Sequence, residues 1–358
     1  MKSNTVDIDF AKQLFAQPEN FIDSFDLKYA TDSMLNINRK LSRGKFTYLK
    51  KGKSITNKKI LKRIKKMAIP PAWKNVKIAS NKRAHIQATG RDEKGRKQYI
   101  YHDDWSLLRN QTKFYKMYAF GKQLPKLREK VEYDLKSSKW SKQKVLALII
   151  SLLEETHIRI GNAYYASANK TYGLSTLRTR HVDIYKGKLK FEFKGKRGKE
   201  YCVTIRNKKL IKLVQQCEDI PGWELFKYYD EEGIKHCVDS TMVNEYLQEI
   251  SGDLFTAKDF RTWGASKICF ETLLNQGLAQ DKQIANNNIL VAIDTAAEAL
   301  GNTRSVVKQY YVHPKITESY LDGTIKPYFT MEKGKDKNNL TATESAMLKL
   351  IYKYEPKL

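Results

Sequence analysis

Long apolar runs are missing from this 358-residue sequence: no stretch of about 18 apolar residues occurs, so no membrane-spanning helix is expected. The best run, 145–153, is followed at once by Glu154 and Glu155 and reads as a buried helix. The first seven residues lack the apolar core of a signal peptide. Cysteine is sparse: Cys202, Cys217, Cys237 and Cys269 are scattered with no Cys-x-x-Cys pair, which points to neither a disulfide framework nor a zinc site. There is no Gly-x-x-x-x-Gly-Lys-Ser/Thr loop, no acidic cluster for paired magnesium ions and no His-Glu-x-x-His. No internal repeat or low-complexity tract appears. A cytoplasmic protein without a metal or cofactor is the expectation.

Acid is the scarce charge, with 39 Asp and Glu against 66 Lys and Arg, a net +27. The excess is uneven. Residues 39–98 hold 21 Lys and Arg against two acids, Asp92 and Glu93, a local +19. Clustering of this kind suits a polyanion, because cations placed on phosphates release counterions and give sequence-independent affinity. At 41% hydrophobic residues the chain has ample material for cores and for two domains.

The patterning predicts an α+β protein: a small N-terminal antiparallel β-sheet domain over 1–105 and a larger, mainly α-helical domain with a β-hairpin over 106–358. Residues 1–38 read as an arm with short elements. Strand-like pieces at 46–49, 76–79, 84–89 and 98–102 enclose one helix, 55–67, closed by Pro70-Pro71. The pieces 76–102 suggest a sheet with basic and aromatic residues on one face. A linker is expected near 102–108. Helices follow over 107–136 and 142–155, then a hairpin from 182–185 and 189–193 with a third strand, 201–205, after a glycine turn at 194–198. Residues 208–300 read as helical, 332–337 as a charged linker, and a last helix starts near Thr343.

Residues 288–300 form a helix-like run that Gly301 would end by reversing the backbone. Asn302 is then placed to cap a short helix bringing Tyr311 beside lysine and arginine. A tyrosine so presented suits attack on a phosphodiester; the plainer reading is a helix corner with a packed tyrosine. Phosphoryl transfer needs a nucleophile, cations on the non-bridging oxygens and an acid for the leaving oxygen. Without a nucleotide or metal motif, side chains must supply all three.

Five boxes in order, Gly95–Tyr101, His157–Asn162, Phe193–Lys196, Lys258–Gly264 and 300–311, carry a resemblance to the type IB DNA topoisomerases, of the poxvirus-like group and its bacterial branch. His157-Ile158-Arg159-Ile160-Gly161-Asn162 resembles a first arginine box and Phe193-Lys194-Gly195-Lys196 the catalytic-lysine turn. Lys258-Asp259-Phe260-Arg261-Thr262-Trp263-Gly264 resembles the second arginine box, and 300–311 the nucleophile box. Gly95-Arg96-Lys97-Gln98-Tyr99-Ile100-Tyr101 resembles the DNA-facing strand of the N-terminal domain. The resemblance implies the tyrosine recombinase/topoisomerase IB-like catalytic fold. It implies Tyr311 as nucleophile, Arg159 and Arg261 on the non-bridging oxygens, Lys196 as general acid and Asn302 as a further oxygen donor. Arg96, Lys97, Gln98, Tyr99 and Tyr101 would bind DNA. Supercoil relaxation through a 3′-phosphotyrosyl bond would need neither ATP nor metal. The partner would be double-stranded DNA held in a two-lobed C-shaped clamp, by a monomer associated with the bacterial nucleoid.

Asn302 stands where poxviral and eukaryotic members place histidine; an amide donates a hydrogen bond but does not titrate. Plainer readings exist: a helix-end cap for Arg159, an ordinary turn lysine for Lys196, an ion pair with Asp259 or a nearby acid for Arg261, and the exposed side of a sheet for Gln98, Tyr99 and Tyr101. His313, two residues past the tyrosine, is the histidine to watch. The rival family is the tyrosine recombinases and integrases, which usually carry His-x-x-Arg where this chain has Lys258-Asp259-Phe260-Arg261, and which lack the Gly95–Tyr101 strand.

Overall fold

Alternation at period two in the first hundred residues condenses into one antiparallel sheet. Its strands are β1 (Ile37–Ser42), β2 (Lys45–Lys50), β3 (Lys53–Ser54), β4 (Lys74–Ile78), β5 (Ile86–Arg91) and β6 (Lys97–Tyr101), ordered β3-β2-β1-β4-β5-β6. Helix α1 (Lys58–Lys66) starts at Asn57, whose side chain accepts from the Lys59 and Ile60 amides. The helix buries Ile64 against Ile37, Val76, Ile78 and Ala88. Burial of one such side chain is worth roughly 2 kcal/mol, and its five lysines stay in water. Two of the basic residues are spent inside the fold: Arg39 donates to the Pro70 and Trp73 carbonyls, and Arg63 to Gln87 Oε1 and the Ala79 carbonyl. The sequence reading missed β1, which pairs with both β2 and β4 although its own residues hardly alternate.

The computed structural model describes residues 17, 22, 26–42, 44–330, 339–352 and 354, so the linker expected at 332–337 lies outside the described residues. The chain divides into two units that change at Lys113/Phe114. This point falls inside α2 (Asp103–Leu135), so residues 103–108, expected as a linker, are helical turns.

The second unit continues with α3 (Lys142–Thr156) and α4 (Ala163–Asn169). A three-stranded antiparallel sheet follows, β7 (Val182–Tyr185), β8 (Lys188–Lys194) and β9 (Glu200–Ile205), with a 3₁₀ turn at Lys196–Gly198. After α5 (Lys208–Glu218) comes a hairpin, β10 (Lys227–Tyr229) and β11 (Lys235–Cys237), which corrects the all-helical reading of 208–300. Its three-residue strands are too short to show a period. The remaining helices are α6 (Ser240–Ser251), α7 (Ala257–Gln276), α8 (Lys282–Leu300), α9 (Arg304–Tyr310), α10 (Pro314–Leu321), α11 (Lys326–Phe329) and α12 (Ala342–Ile351). Helix α3 is buried on nearly every side, as its unbroken apolar run requires. Phe260 and Trp263 of α7 pack edge-on to Phe120 of α2.

Candidate active site

Four of the five boxes converge in the second unit. Helix α3 stops because His157 takes a left-handed backbone with φ of 54°, and Arg159 follows two residues on. The Arg159 guanidinium donates to the Tyr201 hydroxyl and, at 2.6 Å, to Asn302 Oδ1. It is therefore bound to the site rather than serving as a helix-end cap.

Arg261 lies in the first turns of α7, which begins with a capping box between Thr256 and Asp259. It is 4% exposed. Its Nη1 donates to the His157 carbonyl and its Nη2 to the Leu300 carbonyl at 3.0 Å. Both acceptors sit at the C-terminal ends of helices, α3 and α8, where carbonyls lack intrahelical partners and the dipole favours a cation. Its Nε is buried without a hydrogen-bond partner, and its Cζ lies 5.5 Å from the centre of the Tyr311 ring. Asp259, the ion-pair partner considered for Arg261, is instead paired with buried Lys116 at 2.8 Å.

Gly301 ends α8 with φ of 60°, as its position suggested. The cap of α9 is a correction: Thr303 occupies that position, and Asn302 stands one residue earlier. The Asn302 Oδ1 is committed to Arg159, while its Nδ2 is buried and closes no hydrogen bond of ordinary geometry. Tyr311 follows α9 as its C-terminal cap and is half-buried, whereas Tyr310 is 40% exposed. Ser266 fixes the backbone there, donating to the Tyr311 carbonyl at 3.1 Å and accepting from the His313 amide at 2.9 Å.

Burial by itself would raise the Tyr311 phenol. The guanidinium charges of Arg261 and Arg159, with the hydrogen-bonding groups of Arg261 and Asn302, outweigh it and hold the phenol below the ordinary tyrosine value. Lys196, exposed on the 3₁₀ turn between β8 and β9, is lowered chiefly by lost solvation of its ammonium. Arg159, Arg197 and Lys258 add to the lowering, and Tyr311 opposes it. Five predicted residues thus share one electrostatic neighbourhood. His313 stands apart: it is 1% exposed, its Nδ1 caps α10 by accepting from the Lys315 amide, and its ring packs on Phe114 and Tyr354. Burial pushes its imidazole down to about 3.

The predicted DNA-facing strand splits by face. Lys97, Tyr99 and Tyr101 are exposed on one side of β6, with the tyrosine rings stacked at 5.8 Å and Lys97 paired to Asp32 at 2.7 Å. Gln98 shares the opposite side with Ile100 and donates to Asp92, which also pairs with Arg96 at 2.6 Å. Strand alternation forbids these five residues from forming one surface. Tyr201 and Ser266 escaped the sequence reading. Tyr201 had one signal, an aromatic placed across the hairpin from Phe193, the first residue of the lysine turn.

Among the described residues no His, Cys, Asp and Glu cluster is arranged for a metal, and no helix is long and apolar enough to cross a membrane. A family model described as the catalytic core of eukaryotic DNA topoisomerase I matches residues 96–337, and one described as the N-terminal domain of bacterial DNA topoisomerase IB matches 45–92. The DNA topoisomerase 1B of Acanthamoeba polyphaga mimivirus is 35% identical over 322 residues, covering 87% of this chain and 94% of that one. The vaccinia virus (strain Copenhagen) DNA topoisomerase 1B is 26% identical over 240 residues, 65% of this chain and 72% of that one. A solved XerH site-specific recombinase bound to difH substrate matches at a TM-score of 0.32 and 15% identity, over 62% of this chain and 55% of that one. At that score it decides nothing.

Proposed function

The chain belongs to the type IB DNA topoisomerases, and we propose that Tyr311, Arg159, Lys196, Arg261 and Asn302 carry out its strand cleavage and religation. One observation carries the assignment: Arg261 Nε and Asn302 Nδ2 are buried donors beside the Tyr311 phenol that close no hydrogen bond of ordinary geometry. Buried polar groups are otherwise nearly always satisfied, and the non-bridging oxygens of a phosphodiester would satisfy both. The Tyr311 oxygen attacks phosphorus and the bond to the 5′-oxygen breaks. The phenol proton leaves to solvent while the Lys196 ammonium protonates the departing oxygen. Arg159, Arg261 and Asn302 hold the charge that develops on the phosphoryl oxygens, roughly 3–4 kcal/mol for each preorganised donor. A lysine lowered towards neutrality gives up its proton more readily than an ordinary one.

The 3′-phosphotyrosyl bond conserves the energy of the broken phosphodiester, so resealing requires no ATP. Torque rotates the free 5′ end about the intact strand and relaxes supercoils of either sign. The substrate is duplex DNA, gripped as in a clamp by one copy of the chain, with Lys97, Tyr99, Tyr101 and the exposed lysines of α1 on phosphates. The place of action is the bacterial cytoplasm, on nucleoid DNA.

Relaxation of positively and negatively supercoiled plasmid, with excess EDTA and no ATP, tests the assignment. Wild type and Tyr310→Phe should relax both substrates and Tyr311→Phe neither. Relaxation by Tyr311→Phe, or none by wild-type protein that still shifts the plasmid on a gel, would overturn it.

A further inference from the structure

Tyr201 sits where three parts of the site meet, yet it has no step in the chemistry above. It lies opposite Phe193 in the β8–β9 ladder, and the two rings stack at 5.3 Å with planes 6° apart. The ring is also pressed against backbone: a Cβ on Gly195 would come within 2.5 Å of it, and so would a Cβ on Gly301. Gly195 belongs to the turn that carries Lys196, and Gly301 to the helix stop that carries Asn302. At the ring's end the hydroxyl donates to the Gly301 carbonyl at 3.3 Å and accepts from Arg159 Nη1. One proton and two lone pairs allow both bonds.

We infer that Tyr201 is a positioning residue whose hydroxyl acts through Arg159, holding the guanidinium in place, while its ring keeps the Lys196 turn in register with Asn302. A free arginine side chain carries about 2 kcal/mol of rotamer entropy. With Nη1 on Tyr201 and Nη2 on Asn302, that freedom is lost before DNA arrives, so the cation meets the phosphate already oriented. The role depends on Arg159 contacting the phosphate, as proposed above.

The test is single-turnover cleavage of a DNA duplex by wild type, Tyr201→Phe, Arg159→Ala and the double variant, with melting temperature and DNA affinity measured for each. Tyr201→Phe keeps the ring, its stack and both glycine contacts, and removes only the hydroxyl. Cleavage should slow about 10- to 100-fold, the usual cost of a hydrogen bond to a charged group, with DNA affinity and melting temperature unchanged. In the Arg159→Ala background the same deletion should cost less than about 2-fold, because the residue it works through is gone. A substrate with sulfur in place of the leaving oxygen departs without a proton, so Lys196→Ala should recover on it and Tyr201→Phe should not. Wild-type rates in Tyr201→Phe, an undiminished loss in the Arg159→Ala background, or recovery on the sulfur substrate would each overturn the inference. Absence of any covalent adduct with wild type would remove the Tyr311 assignment itself, and this inference with it.

Discussion

Replacing Glu344 by glutamine should destabilise the second unit by an amount that shrinks as the solution is acidified. Glu344 is 1% exposed on α12. It accepts from Arg128 at 2.7 and 2.9 Å, from Trp263 Nε1 at 3.1 Å and from the Thr341 amide at 3.0 Å. Burial pushes its carboxyl up, but the bonds and charge of Arg128, with Lys267 behind them, hold it down at about 2 against an ordinary 4.5. A folded-state value below the unfolded one means stability that is fully present above about pH 4.5 and lost as the pH falls through about 2. The gap is worth about 3 kcal/mol at neutral pH. Glutamine keeps the shape and one acceptor and loses the charge. Glu344→Gln should therefore melt about 6–12 °C below wild type at pH 7, the usual effect of ~3 kcal/mol in a unit of this size. At pH 3.5 roughly a third to a half of the wild-type advantage should already be gone. Paired thermal melts at pH 7, 5 and 3.5 measure this, because subtracting the two proteins cancels the other carboxylates. A melting gap constant across that range would refute the assignment of the linkage to Glu344. Trp263 lies two residues beyond Arg261 on α7, so this pair also steadies the helix that presents the site's most buried cation.

Asn302→Ala removes a buried amide donor and one acceptor of Arg159, and should slow cleavage about 10²-fold at unchanged DNA affinity. An unchanged single-turnover rate would remove Asn302 from the site. Gly301→Ala meets two obstacles, a left-handed backbone and a Cβ 2.5 Å from the Tyr201 ring. A loss of about 2–4 kcal/mol by denaturant titration is expected, with cleavage impaired in the folded fraction. A variant as stable as wild type would show that the Tyr201 ring can move away at little cost.

The amino-acid sequence by itself determined those features whose physics is local. The apolar run before Glu154 had to be a buried helix, and glycine after the 288–300 run had to stop one. The turn at 194–198 had to close a hairpin, and the charge excess of 39–98 had to meet an anion or water. Family boxes made Tyr311, Arg159, Lys196, Arg261 and Asn302 legible as candidates, because each lies in or beside a helix end or a turn with its own short-range signature. Tertiary structure decided whatever depends on partners far along the chain. Asn302 faces Arg159, 143 residues away, instead of capping α9, and Asp259 takes Lys116, likewise 143 residues away, instead of Arg261. Gln98 was separated from Tyr99 and Tyr101 by the face that Ile100 needed for the sheet's core. The short β10–β11 pair lies below the length at which alternation can be read. Tyr201 is the plainest case. A tyrosine in a strand is unremarkable by composition, and only the folded chain lays its ring across two glycines 106 residues apart and its hydroxyl on an arginine.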